Sequence, residues 1–331
     1  MGRGMSEFDL IDRLRRLSSP EGPVWTGIGD DASVTVHGGP TAISVDAVVE
    51  GVHFSRESSS PLQIAQKAVG TALSDIAAMA ADPGEVYVTL GIPAGTSSTF
   101  LEELADGFVE VAEGFGAALT GGDTVASPTM FVSVTAVGRT PAGEHPVLRS
   151  GAAEGELVAV TGELGGASAG LLLLGRPGLE DDAALPPGAR DALIQRQLAP
   201  RPQLEAGRAL RGSGVSALID VSDGLAADLA HIARASGVAI EINRDRVPVQ
   251  AGVLEVAEAA GRSWTDLALA GGEDYELAFT LPAEALATVE ERIVPLGCGL
   301  SVIGKTRPGS GVTVITGGHR EPPPAGFDHF G

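Results

Sequence analysis

Aspartates set beside small residues are the groups in this 331-residue chain best suited to do chemistry. Five short segments repeat one grammar, a Gly or Ser, an Asp and an adjoining apolar run. They are Gly27-Ile28-Gly29-Asp30-Asp31, Ser44-Val45-Asp46, Ser74-Asp75, Gly121-Gly122-Asp123-Thr124 and Asp220-Val221-Ser222-Asp223-Gly224. Ionised aspartate only accepts hydrogen bonds, and hard cations such as Mg2+ take oxygen ligands and bridge carboxylates to phosphates. Glycine beside the carboxylate lets the backbone approach a bulky anion. A single Asp of this kind reads as a turn or a helix cap, and Ser222-Asp223-Gly224 would serve as a helix start. Five of them among apolar segments read as a metal–phosphate site, because carboxylates in company need a cation between them.

Two other patterns do not qualify. Gly299 to Thr306 spells the phosphate-loop pattern, but its middle residues, Leu300-Ser301-Val302-Ile303, read as a strand, and Arg307-Pro308-Gly309 blocks the helix that must follow. The Gly-rich run from Gly162 to Gly170 lacks dinucleotide-binding spacing. Arg149 sits where a guanidinium would reach phosphates bidentately, and serves equally well as a solvated surface arginine. His53 lies seven residues past Asp46, in a loop expected to line a cleft.

Composition narrows the class. The formal net charge is −21, with Lys67 and Lys305 the only lysines, so nucleic acid is not an expected partner. Such a chain binds ATP only with cations between its carboxylates and the phosphates. Cys298 is the single cysteine, which excludes an internal disulfide and suggests a reducing, cytoplasmic setting. No apolar run nears the ~18 residues of a membrane span. The start fits the myristoylation pattern, read here as chance, and Met5 is an alternative first residue.

Elements that would position these groups can be read along the chain. Strands are expected at residues 41–49, 86–92 and 130–137. Helices are expected from Pro61, with Asp82-Pro83-Gly84 ending the first, and across 99–115. Thr120-Gly121-Gly122-Asp123-Thr124 precedes the strand at 130–137. Residues 140–156, rich in Gly, Pro and charge, mark a boundary between domains 1–140 and 141–331. The second half resumes with a strand at 157–161. Helices follow at 166–174, 191–198, 202–211 and 225–236, and strands at 217–221, 238–242, 275–280 and 300–303. Residues 175–188 read as a flexible acidic surface loop. Both halves are mixed α/β. Ala270-Gly271-Gly272-Glu273-Asp274 echoes the Gly-Gly-Asp of the first half.

The segments GIGDDASV, SVDAVVEGVHF, KAVGTALSDIAAMAADP, LTGGDT, LIDVSDGLAADL and LAGGEDYEL, in that order, resemble the thiamine-monophosphate kinase family, from about Glu7 to the closing Gly326-Phe327-Asp328-His329-Phe330. The wider superfamily takes in aminoimidazole ribonucleotide synthetase, selenophosphate synthetase and a hydrogenase maturation factor. The chain lacks the reactive cysteines of the last two, and GVHF and GGEDYEL favour the thiamine enzyme. The resemblance implies an α/β fold of the α+β type, with an N-terminal domain that binds metal and ATP and dimerises through its sheet, and a C-terminal domain covering the cleft. It implies ATP-dependent phosphorylation of thiamine monophosphate by a homodimer. It also implies Mg2+ on Asp30, Ser44, Asp46, Asp75, Asp123, Asp220 and Asp223, with the Val45 carbonyl as a further ligand. Gly122, Asp123, Arg149 and Ser222 would contact ATP, and His53, Glu273 and Phe327 the thiamine substrate. The chain departs from the family pattern at Gly70-Thr71-Ala72 and at Ala80, where Gly is common. A relative activating a carbonyl or selenide with ATP is the nearest alternative; a non-catalytic cation binder is the alternative of a different class.

Overall fold

The computed structural model describes residues 37–326 continuously, preceded by residues 13, 14, 16, 17, 24–26, 34 and 35. Asp30 and Phe327 lie outside the described residues. The chain divides into two compact units, Met1–Ile76 with Ala81–His145, and Ala77–Ala80 with Pro146–Gly331.

In the first unit, short strands β1 (Val24–Thr26) and β2 (Val34–Thr35) pair with each other. A separate four-stranded sheet is built from β3 (Thr41–Val49), β4 (Asp82–Ile92), β5 (Ala118–Ala126) and β6 (Phe131–Arg139), in the order β3-β6-β4-β5. Only β4 and β5 run parallel, which requires a crossover, and helix α2 (Ser98–Gly114) supplies it. Helix α1 (Pro61–Ala78) opens on a reciprocal capping box: Ser60 N donates to Gln63 Oε1 at 2.9 Å and Gln63 N to Ser60 Oγ at 3.3 Å. Pro61 follows at the first helical position, where its missing N–H is not needed. The apolar face of α1, Ile64, Ala68, Val69, Ala72, Leu73 and Ile76, is at most 2 % exposed.

Asp82-Pro83-Gly84 does not form the expected turn; these residues open β4. Helix α1 stops four residues earlier by a local device: Ala80 N donates to Ala77 O at 2.9 Å and Ala81 N to Ile76 O at 3.1 Å, with Ala80 left-handed at φ 53°. Pro83 is tolerated because β4 pairs only with β6 there, and β5 joins from Glu85 onward. The register slips between Pro83 and Glu85. A Cβ at Gly84 would strike the Arg139 guanidinium, which pairs with buried Glu85 and donates to His37 Nδ1.

The second unit holds a seven-stranded mixed sheet from β7 (Leu157–Thr161), β8 (Ala217–Asp220), β9 (Ala239–Asn243), β10 (Leu277–Leu281), β11 (Leu300–Arg307), β12 (Gly311–Thr316) and β13 (His319–Glu321), ordered β13-β12-β9-β11-β7-β10-β8. The phosphate-loop look-alike is β11, antiparallel to β7 and β9, so it cradles nothing. Helices α3 (Gly166–Gly175), α4 (Leu179–Asp182), α5 (Ala189–Leu198), α6 (Leu204–Leu210) and α7 (Leu225–Ser236) follow in chain order. Helix α4 corrects the expected loop at 175–188: Leu179 is 1 % exposed and anchors it in a cluster with Leu173, Leu193 and Val253. Short helices at Val253–Ala259, Trp264–Ala268 and Leu286–Ile293 complete the unit.

The close packing of α1 on β6 is testable at Gly138, where a Cβ would strike the Ile76 side chain in the fully packed core. Gly138→Ala is expected to lower stability by about 1–3 kcal/mol through overpacking, read as a lower denaturant midpoint with unchanged slope; an unaltered midpoint would show that the contact yields freely.

Candidate active site

In the first unit, β3 alternates cleanly. Ser44, Asp46 and Val48 face inward, and Ile43, Val45 and Ala47 face outward, with Ile43 67 % and Val45 65 % exposed. Ser44 Oγ donates to Asp75 Oδ2, so strand β3 and helix α1 meet through the predicted pair, and Asp46 lies on the same strand face. Gly122 and Asp123 sit inside a strand of their own, β5, ahead of the expected one. Parallel pairing with β4 overrides the poor strand propensity of the two glycines. Their smallness is required by neighbours: a Cβ on Gly121 would press on the Tyr87 ring at 2.9 Å, and one on Gly122 would strike the Val88 carbonyl. The exposed Asp123 carboxylate accepts from Thr124 N at 2.9 Å.

Register fixes the spacing of these groups. Asp46, Val134, Val88 and Gly122 form one row across the sheet, and Ala47, Ser133, Thr89 and Asp123 the next. Asp46 and Asp123 therefore stand on opposite edge strands, three strand spacings or roughly 14 Å apart. His53 closes the turn after β3: its Nδ1 accepts from Val49 N at 3.1 Å, and its own N–H donates to Val49 O at 2.9 Å.

In the second unit, Asp220 ends β8, nearly buried at 3 % exposure, and Ser222-Asp223-Gly224 turns the chain into α7. Helix α7 contributes Asp228, a carboxylate on its apolar stripe beside Leu225, Leu229 and Ile232. Asp228 Oδ2 accepts from Ser222 N at 3.0 Å, Asp223 N at 3.1 Å and Gly224 N at 3.1 Å. Burial, then the charges of Asp220 and Asp223, push this carboxyl up to about 8 against the pull of the amides. The segment Glu273 to Glu276 runs alongside: Glu273 N donates to Ser222 O, Tyr275 N to Val221 O and Val221 N to Glu276 O, each at 2.8 Å. Gly272 permits this approach, since a Cβ there would strike the Ser222 carbonyl. Glu273 and Tyr275 hold left-handed backbone, φ 67° and 50°.

The side chains of this segment are tied down. Gln197 Nε2 donates to Glu273 Oε2 at 2.7 Å. Buried Glu276 receives Thr161 Oγ1 at 2.6 Å, Gln203 Nε2 at 3.1 Å and the Arg196 guanidinium. Fully buried Asp274 receives Gly165 N at 2.6 Å and Ala167 N at 3.1 Å, at the start of α3. Arg149 is exposed; Ser236 Oγ donates to its carbonyl at 3.4 Å and accepts from Ala152 N at 3.1 Å. Burial lowers the His231 imidazole, and Arg149 and Arg234 lower it further, so Arg149 acts electrostatically on the helix that follows the Ser222–Gly224 turn.

The predicted residues thus fall into a Ser44–Asp75 contact with Asp46 beside it, an Asp123 edge, and an Asp220–Asp223 turn flanked by Glu273. Among the described residues, no three His, Cys, Asp or Glu side chains gather into one metal-holding group. Asp228, Asp274, Glu276, Arg196 and Gln197 are additions to the sequence reading. The available signal was a carboxylate on an otherwise apolar helix stripe for Asp228, and two carboxylates just ahead of an apolar strand for Asp274 and Glu276.

Residues 29–140 match the model of the AIR synthase related protein N-terminal domain, and residues 153–317 that of the C-terminal domain. Thiamine-monophosphate kinase of Mycobacterium tuberculosis is 37 % identical over 329 residues, covering 99 % of this chain and 92 % of the relative. The chain belongs to the thiamine-monophosphate kinase family. The crystal structure of the family member from Stenotrophomonas maltophilia is 35 % identical, covers 94 % of this chain and 97 % of its own, and superposes with a TM-score of 0.81. AaThiL complexed with AMPPCP and TMP is 33 % identical, covers 98 % of this chain and 97 % of its own, and superposes with a TM-score of 0.76. The two-domain α/β architecture is therefore that of the family. Among the described residues, no helix is long and apolar enough to cross a membrane.

Burial holds the Asp274 carboxyl near 6, above its ordinary 3.8, so the folded chain binds that proton more tightly than the unfolded one. This contribution to stability grows as pH falls from about 6 and is lost as pH rises through it. The melting-temperature advantage of wild type over Asp274→Asn should therefore be larger at about pH 5 than at about pH 7.5; a constant advantage would contradict the assignment.

Proposed function

We propose that this chain transfers the γ-phosphoryl group of ATP to the phosphate of thiamine monophosphate, giving thiamine diphosphate and ADP. The observation that carries the reading is full-length similarity to thiamine-monophosphate kinases, one of which is complexed with AMPPCP and TMP, and the contact between Ser44 and Asp75 supports it. The donor set suits magnesium: Ser44, Asp46, Asp75, Asp123, Asp220 and Asp223 offer oxygen only, with Asp30 and the Val45 carbonyl as further ligands by family pattern. Asp228 feels the charges of both Asp220 and Asp223, and carboxylates in such company fit a divalent cation. Bound Mg2+ would supply charge neutralisation between two polyanions.

The chain's own groups have defined tasks. The acceptor oxygen is already anionic at neutral pH, so no side chain need remove a proton from it. Its lone pair forms the new P–O bond directly, and the bond to the ADP oxygen breaks with that electron pair leaving on ADP, without a phosphoenzyme. Arg149 engages the nucleotide phosphates, and Gly122, Asp123 and Ser222 are assigned to ATP by family pattern. His53 and Glu273 bind the thiamine substrate; Glu273 offsets the thiazolium charge and Phe327 stacks on a ring.

A homodimer built on the first unit's sheet fits two features. Ile43 and Val45 expose apolar side chains on its outer face, and Asp46 and Asp123 lie on opposite edges, too far apart on one sheet to share a cation directly. A second copy on that face would shield the apolar residues and bring one copy's edge strand toward the other's. The enzyme operates in the cytoplasm.

Purified protein with ATP, Mg2+ and thiamine monophosphate should give thiamine diphosphate by mass, while an aminoimidazole precursor and selenide in parallel give nothing; turnover of either rival alone would overturn the assignment. Asp123→Asn should lower turnover by at least about a hundredfold with the fold retained by circular dichroism. Phe327→Ala should raise the Michaelis constant for thiamine monophosphate more than that for ATP; equal increases would remove Phe327 from the substrate site.

A further inference from the structure

The turn at Ser222 to Gly224 is held from both sides. On its carbonyl side, Ser222 O accepts from Glu273 N at 2.8 Å and Gly224 O from Asp228 N at 3.0 Å. On its amide side, all three consecutive N–H groups converge on one atom, Asp228 Oδ2, at 3.0 to 3.1 Å. Gly224 is left-handed at φ 115°, and a Cβ there would press on the Ala270 backbone at 2.7 Å, so the turn cannot relax toward that neighbour. With its backbone engaged in this way, the turn presents the side chains of Ser222 and Asp223, both half-buried.

We infer that Asp228 is a positioning residue: its carboxylate sets the Ser222–Gly224 turn so that Ser222 and Asp223 meet the nucleotide in one fixed geometry. A purely structural turn would be served by a neutral acceptor. A carboxylate buried beside Asp220 and Asp223 works against its own desolvation and against two like charges. What it provides is one oxygen placed to gather three amides, and its ionised form is a stronger acceptor than a side-chain amide. Its Oδ2 is occupied by the three amides of the turn, so the residue acts through the backbone it holds.

The inference rests on the reading of Ser222 and Asp223 as nucleotide-side groups, and the test separates the two. Asp228→Ala, Asp228→Asn, Asp223→Asn and the double variant Asp228→Ala/Asp223→Asn are prepared in the full chain. Three quantities are measured: kcat/KM for ATP, KM for thiamine monophosphate, and the Kd of AMPPCP with Mg2+ by calorimetry.

Asp228→Ala should lower kcat/KM for ATP at least thirtyfold and weaken AMPPCP binding about tenfold, with KM for thiamine monophosphate changed less than twofold. Asp228→Asn, which keeps a neutral acceptor, should fall between it and wild type, down three- to tenfold. In the double variant the two losses should be markedly less than multiplicative, because a released turn no longer aims Asp223. If Asp228→Ala does not fold, Asp228→Asn carries the test, and hydrogen exchange should show faster exchange of the amides of residues 222–224 in it. An Asn variant matching wild type, multiplicative losses, or equal changes toward both substrates would overturn the positioning role. A silent Asp223→Asn would instead overturn the nucleotide-side reading beneath it.

Discussion

Negative charge that must be buried is the constraint on which this structure turns. A chain of net charge −21 with only two lysines has few ammonium groups with which to pair its carboxylates. The second unit answers chiefly with backbone. Asp228 gathers three amides and Asp274 two, while Glu276 takes a hydroxyl, an amide side chain and one arginine. Two of these solutions join segments distant in sequence, α3 to the strap before β10 and β7 to α5, while Asp228 ties the turn after β8 to the first turn of α7. A buried carboxylate without such partners is strongly unfavourable, so these contacts act as requirements of the fold as much as contributors to it.

The same contacts explain how two stretches of irregular backbone are held side by side. Glu273 to Glu276 and Val221 to Asp223 exchange three backbone hydrogen bonds outside any regular strand. Glycines at 224 and 272 allow the approach, because each would otherwise put a Cβ into the facing backbone. In the sequence these glycines suggest room for an anion. In the fold, the space beside Gly122, Gly224 and Gly272 is taken by carbonyls and backbone of the protein itself. Close chain-to-chain packing accounts for them in full, and the oxygen-bearing side chains next to them remain the groups available for chemistry.

Legibility followed local strength of signal. Strand Thr41–Val49 and helix Leu225–Ser236 were readable to their ends, the second because Gly224 and Gly237 bracket it. The Pro61 helix announced itself by Ser60, Pro61 and Gln63, but its end did not, because a left-handed Ala80 closes it where Gly would be expected. The strand through Gly121 and Gly122 was hidden by poor propensity that only pairing with β4 overcomes. Helices of five to eight residues at Val253–Ala259, Trp264–Ala268 and Leu286–Ile293 carry too few turns to show a period, and the edge strand β13, His319-Arg320-Glu321, is too short and polar. Ser44 with Asp75 was legible as residue types, and the structure brings the two into contact. Asp228 showed only as a carboxylate on an apolar stripe, and Gln197 was not legible, because its partner Glu273 is remote along the chain.

Glu273 and Tyr275 bear on how far this sequence can drift. Both occupy a backbone conformation that glycine enters freely and that side-chain-bearing residues adopt at roughly 1 kcal/mol or more. Glycine at either place would ease the path of the chain while deleting a carboxylate or a buried ring. Mutation toward glycine is thus the downhill direction for conformation alone. Retention of an acid and an aromatic there reflects a demand made by what those side chains touch, and libraries varied at these two positions would expose that demand as a conflict between better folding and weaker performance.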